Sequence, residues 1–325
     1  MGGTALPLLI NYDSPRELRA FLDERGLGMR KKFGQNFLVN PAVRSRLLDA
    51  LELGPGDEVW EIGPGLGAMT AGLLERGGRV TAFEIDPAFA ALLGEFFAAE
   101  SPATQGAEPV FHLIEGDVFK TWPQAAGARR KNSLNERLLL LGNLPYNIGA
   151  ALLGDFIEQG WFFTRIVVTV QREVARRMAA RPGSADYSSF SVLCSSAYKI
   201  TPFLTINGAS FFPAPRVDSQ GVRLDPLPRG EKLSVLFYPM VRSLFSNRRK
   251  TIRNTLSNFA ASVIIKGNNT PGQAPESALT RVSGVEAAAE VLKRSGIPGD
   301  RRPETLDIDE FAALAAFLEE TVGHG

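Results

Sequence analysis

The sequence predicts an α/β protein: a parallel, helix-flanked sheet followed by a small all-helical domain. Three observations carry this reading. From about residue 58, short apolar runs alternate with helical stretches, the pattern of parallel strands joined by crossover helices. The first run, Val59-Trp60-Glu61-Ile62, passes directly into Gly63-Pro64-Gly65-Leu66-Gly67, a glycine turn of the kind that lets a doubly wound sheet approach a ligand. Beyond Pro228 the strand signals stop and helical periodicity takes over. The implied domains are an N-terminal helical extension (1–29), a sheet domain (30–228) and a helical domain (229–325).

Taken in order, Ser14-Pro15-Arg16-Glu17 announces a first helix, with Ser as N-cap, Pro at the first position and Glu at the third. Leu18, Phe21 and Leu22 continue it to Gly26. Strands are expected at 58–62, 79–84, 110–114, 138–142 and 165–170, with helices starting near Ala68, Pro87, Gly149 and Gln171. Two further strands, 200–206 and 220–224, are separated by a Pro-rich turn and fit an antiparallel edge. Residues 98–109 and 124–135 are polar, contain Gly and read as surface insertions. Helices are expected at 232–245, 248–259, 284–295 and 307–322, with a linker from 267 to 275.

Composition removes several chemistries. At 44% hydrophobic and 22% charged, the 325 residues have the balance of an ordinary globular protein. No run approaches the roughly 20 apolar residues of a membrane helix, and the first residues lack a signal core; a cytoplasmic location without membrane association is expected. The one cysteine, Cys194, lies in an apolar run, and of the two histidines His324 is terminal while His112 falls in an expected buried strand. No metal site and no His or Cys general base are therefore expected. The net charge of +1 is unrevealing, but basic residues cluster at Arg30-Lys31-Lys32, at Arg172, Arg176, Arg177 and Arg181, and at Arg248-Arg249-Lys250 with Arg242 and Arg253. Such clusters fit either solvated faces or a nucleic-acid footprint.

The glycine turn alone suits several nucleotide-like ligands. Glu84 ends the second strand 84 − 63 = 21 residues after the first glycine, where a carboxylate reaches ribose hydroxyls. Ile85 follows as a cover for one face of an adenine, and Asp117, after the third strand, can accept from the adenine amine or serve as a helix cap. The spacing Gly63, Gly65, Gly67 departs from the dinucleotide pattern G-x-G-x-x-G, and Glu61 would repel a pyrophosphate while suiting a cationic sulfonium. These stations favour S-adenosylmethionine on a Rossmann-like class I methyltransferase sheet.

The fourth strand ends in Gly142-Asn143-Leu144-Pro145-Tyr146-Asn147-Ile148. An exocyclic adenine amine is a poor nucleophile because its lone pair is delocalised. The Asn143 amide oxygen and the Leu144 carbonyl can draw its two N–H bonds out of the ring plane, with Pro145 fixing the turn. Tyr146 offers a platform for an extruded base, worth roughly 1–3 kcal/mol.

Residues 31–38, 61–67, 84–86, 116–117, 143–148 and 211–219 together resemble the successive motifs of the ribosomal RNA adenine N6,N6-dimethyltransferase family, and 244–254 with 302–306 resemble its small-subunit branch. The resemblance implies that Gln35, Asn36 and Leu38 help enclose the methyl donor and that Phe211 and Tyr146 sandwich the target adenine. It also implies dimethylation of two adjacent adenines near the 3′ end of small-subunit (16S) RNA within an immature 30S particle, by a monomer. Arg248, Arg249, Lys250 and Arg253 are the expected RNA-docking residues. A non-catalytic RNA-binding assembly factor and a Rossmann dehydrogenase are the competing readings; the Asn-Leu-Pro-Tyr set argues against the first, and the glycine spacing and scarcity of histidine against the second.

Overall fold

The computed structural model describes residues 10–28, 35–97, 110–132, 137–144, 148–228, 233–247, 249–267 and 283–323. The chain divides into two compact units, Met1–Ala175 with Lys199–Pro226, and Arg176–Tyr198 with Leu227–Gly325. The segment 176–198, expected within the sheet domain, thus belongs to the helical unit. Tyr187 and Val192 are buried in the core of that unit, and the Tyr187 hydroxyl donates to Leu306 O at 3.0 Å.

The described elements begin with α1 (Pro15–Glu24), β1 (Phe37–Leu38) and α2 (Pro41–Ala50). Strand–helix alternation follows in β2 (Glu58–Ile62), α3 (Ala68–Glu75), β3 (Arg79–Glu84), α4 (Pro87–Phe97), β4 (Phe111–Glu115) and α5 (Val118–Asn132). It continues through β5 (Leu138–Asn143), α6 (Gly149–Glu158), β6 (Arg165–Gln171), α7 (Arg172–Met178) and α8 (Ser189–Ala197), then β7 (Tyr198–Ile206), β8 (Phe211–Phe212) and β9 (Ser219–Pro226). The helical unit adds α9 (Phe237–Phe245), α10 (Ile252–Gly267), α11 (Gly284–Ser295) and α12 (Ile308–Val322).

A seven-stranded sheet runs β4-β3-β2-β5-β6-β9-β7, parallel from β4 to β6, with β9 antiparallel to β6. Central strands are buried along their length, as in the Leu138-Leu139-Leu140-Leu141 run of β5, which is what helices on both faces demand. Register aligns Ile62 with Phe83 on one side and Gly142 on the other. The carboxyl ends of β2, β3 and β5 therefore lie along one edge.

Several expectations change. The connection between β7 and β9 is no tight turn: it carries β8, which pairs antiparallel with β1 through Phe37↔Phe212 and Leu38↔Phe211. Residues 124–132 continue α5, because Trp122, Ala126 and Arg129 recur at helical spacing; Trp122 and Ala126 are buried and Arg129 pairs with Glu58 at 2.7 Å. His112 is exposed, since β4 is an edge strand. The helix expected from residue 248 starts at Ile252, where Ile252 N and Arg253 N donate to the carbonyls of Arg301 (2.8 Å) and Gly299 (3.0 Å).

Candidate active site

Strand order reverses between β2 and β5, and a cavity opens at their carboxyl ends, the usual ligand position in such sheets. Gly63, Gly65 and Gly67 turn the chain there with φ of 68°, 58° and 86°. A Cβ on Gly65 would stand 3.2 Å from the Phe37 ring, and one on Gly67 2.6 Å from the Phe97 ring. Positive φ and close rings together reserve both positions for glycine.

Two buried carboxylates face this turn. Glu61, near the end of β2, accepts from Thr70 Oγ1 at 2.7 Å. Burial pushes its carboxyl up to about 7, helped by the charge of Glu84 and opposed by the Thr70 bond. Glu84 accepts from Gly65 N at 3.1 Å and Asp86 N at 2.9 Å, lacing the end of β3 to the glycine turn. Burial raises its pKa against those two N–H groups. Ile85 stands beside it, 45% exposed, on the cavity wall.

Asn143 ends β5, which flanks β2 on the side away from β3 and Glu84. Its Nδ2 donates to Asn36 O at 2.8 Å and its Oδ1 accepts from the Thr169 hydroxyl. A carbonyl only accepts, so Asn36 determines which end of the amide is nitrogen, and Thr169 holds the oxygen end. The β5–β6 register sets Thr169 beside Asn143. One lone pair of Oδ1 remains beyond the Thr169 bond. The Leu144 side chain is buried between two glycines: a Cβ on Gly142 would stand 2.6 Å from Leu144 Cδ2, and one on Gly149 3.2 Å from Leu144 Cβ. Pro145 and Tyr146 lie outside the described residues.

Gln35, Asn36 and Leu38 line the same cavity, and Gln35 Nε2 donates to Asp86 Oδ2 at 3.4 Å. The structure thus gathers Gln35, Asn36, Leu38, Glu61, Gly63, Gly65, Glu84, Ile85 and Asn143 around one space. Four expected residues among those described lie outside the lining: Gly67, Leu144, Asp117 and Phe211. Asp117 accepts from Phe119 N at 3.0 Å and caps α5, outside the lining. Phe211 is 4% exposed and packs in the core with Leu38 and Leu47, outside the lining. Arg249, Lys250 and Arg253 are exposed residues of the helical unit, and Arg248 lies outside the described residues.

Two contributors escaped the sequence reading. Thr169 is a polar residue inside the apolar run of β6, a signal that could have exposed it. Tyr12, whose hydroxyl donates to Leu66 O at 2.9 Å, gives no such sign. Among the described residues, the lining holds no Lys, Arg or His, while its two carboxylates are buried. That donor set disfavours a pyrophosphate and fits the cationic methionine end of S-adenosylmethionine.

A family model described as ribosomal RNA adenine dimethylase matches residues 26–283. The ribosomal RNA small subunit methyltransferase A of Treponema denticola is 40% identical over 317 residues, covering 97% of this chain and 96% of the relative. That of Borreliella burgdorferi is 39% identical, covering 96% and 97%. Among solved structures, a dimethyladenosine transferase from Plasmodium falciparum matches with a TM-score of 0.64 at 23% identity, covering 87% of this chain and 97% of that one. The 23S rRNA methyltransferase ErmE matches with a TM-score of 0.54 at 22% identity, covering 87% and 99%. These two likenesses show the class I methyltransferase fold.

Proposed function

The chain belongs to the ribosomal RNA adenine dimethylase family, an S-adenosylmethionine-dependent methyltransferase acting on ribosomal RNA, and from there we propose its target: the N6 amines of two adjacent adenines near the 3′ end of small-subunit RNA. It acts as a monomer in the cytoplasm on an immature 30S particle, and so contributes to small-subunit biogenesis. Among the described residues, no helix is long and apolar enough to cross a membrane.

The observation that carries this reading is the Asn143 amide, fixed at the cavity wall by Asn36 and Thr169, at the end of the strand next to the one that leads into the glycine turn. S-adenosylmethionine, when bound, supplies a methyl group already activated on a sulfonium, so the protein needs no strong base. Glu61 favours that cation, while the Glu84 carboxylate, aimed by Gly65 N and Asp86 N, takes the ribose hydroxyls. Asn143 Oδ1 and the Leu144 carbonyl accept the two N6 hydrogens of an extruded adenine. This turns the nitrogen lone pair out of the ring plane towards the donor. Tyr146 supports the base by stacking.

Docking is assigned to Arg248, Arg249, Lys250 and Arg253. Cations at the start of a helix oppose its dipole, and Arg249, Lys250 and Arg253 gather at the start of α10, where they add nothing to helix stability and suit phosphates. Mapping methylated adenines by mass spectrometry in ribosomal RNA from cells with and without this protein tests the target. Loss of two adjacent dimethyladenines near the 3′ end of small-subunit RNA is expected. An unchanged map would overturn the proposal.

A further inference from the structure

The N-terminal segment takes no part in the chemistry above and lies ahead of the family match, which begins at residue 26. It is nevertheless built against the cavity. Ser14 caps α1 through Glu17 N, and α1 turns Leu18 and Leu22 inward. With Ile10 they join Leu66, Phe89 and Phe212 in one buried cluster. Leu66 belongs to the glycine turn, so its side chain is covered by the segment. Tyr12 holds the same residue from its backbone, the hydroxyl donating to Leu66 O at 2.9 Å. Tyr12 and Leu18 both line the cavity alongside Glu61. Burial, and then the charge of Glu61, raise the pKa of the Tyr12 hydroxyl, which places the phenol within reach of that carboxylate's field. Two ion pairs fasten the ends: Asp13 with Arg44, which also donates to Leu38 O at 2.8 Å, and Arg25 with Glu95 at 2.9 Å.

We infer that residues 10–25 form a strap along the methyl-donor cavity, in which Tyr12 is a positioning residue that holds the glycine turn and sets how fast donor and spent donor exchange. The inference rests on the reading of the cavity as the S-adenosylmethionine site. Two adenines at two methyl groups each require 2 × 2 = 4 transfers, and after each one S-adenosylhomocysteine has to leave before fresh donor enters. A turn whose carbonyl is held by a segment ahead of the sheet's first strand gives that exchange its own control, separate from the acceptors on Asn143 and Leu144.

Tyr12→Phe keeps the ring and removes the hydroxyl. Affinity and release rate for S-adenosylmethionine and S-adenosylhomocysteine are measured on the full chain by equilibrium binding and stopped flow, with RNA affinity and the unliganded melting temperature alongside. Both ligands are expected to bind about 3- to 10-fold more weakly and leave faster, the scale of one hydrogen bond. Meanwhile the rate of a single methyl transfer from pre-bound donor, RNA affinity and melting temperature stay near wild type. Arg25→Ala, which loosens the strap at its exposed end, should move release in the same direction by less. Unchanged release in Tyr12→Phe overturns the inference, as does a fall in melting temperature with donor affinity intact, the mark of a merely structural tyrosine. A wild-type protein that binds no donor would instead sink the reading of the cavity, and the strap with it.

Discussion

On the β3 side of β2, the bonds that shape the cavity are short in sequence: Thr70 to Glu61 spans 9 residues and Gly65 to Glu84 spans 19. On the β5 side, Asn143 is held by Asn36 across 107 residues. The β3 side carries the two carboxylates proposed to contact the donor. The β5 side carries the amide proposed to hold the base, and it depends on a partner far along the chain. Donor affinity and transfer rate are thereby housed in groups that substitution can separate.

The largest separation is expected from Asn143→Ala. Transfer of labelled methyl groups should fall about 100- to 1000-fold, the cost of deleting one preorganised polar group from a reacting centre, with donor affinity changed far less. Equal loss of both would show that the two sides act as one.

An intermediate effect belongs to Glu61. With its carboxyl pushed up to about 7, the donor-free protein holds Glu61 protonated below that pH. A cation binds better to the ionised form, so donor affinity should fall as pH is lowered through 7, approaching about 10-fold per pH unit. Glu61→Gln should flatten that profile in binding titrations run between pH 6 and 8. The sign for stability is the reverse: a raised folded pKa favours the folded, donor-free state at low pH, and this contribution is lost as pH rises through 7. Donor should consequently raise the melting temperature more at pH 8 than at pH 6.

The smallest effect tests the hold on the amide itself. Thr169→Val should lower kcat about 5- to 10-fold at unchanged donor affinity, and Thr169→Ser should restore it, since one hydrogen bond is removed and returned. A Thr169→Val enzyme with full kcat would leave Asn36 as the sufficient anchor.

The same split explains what the sequence disclosed. β2 and β3 are found with the expected bounds, Glu58–Ile62 and Arg79–Glu84, because short, mostly apolar runs bounded by turn residues leave a buried parallel strand as the consistent choice. Glu61, Glu84 and Ile85 were legible because strand ends in such a sheet point at one place. The β1–β8 ribbon was not: two residues on each strand carry no periodicity, and the pairing joins positions 37 and 212. The resemblance offers Phe211 as a partner for the adenine; in the ribbon it pairs with Leu38 and is 4% exposed. Tyr12 was invisible for a related reason, since it matters through one distant partner, whereas Thr169 stood out only as a polar residue in the apolar run of β6. Segment 176–198 was misplaced because its Tyr187 contacts Leu306, far along the chain.

Leu144 carries one more consequence. The role proposed for that position uses only its backbone carbonyl, which every amino acid possesses. Its isobutyl group is instead wedged between Gly142 and Gly149, where added carbons on either glycine would collide with it. Tolerance at residue 144 should accordingly follow size and branching, not polarity: a bulkier replacement tilts the carbonyl, a smaller one lets it rock, and neither changes any group that takes part in the reaction.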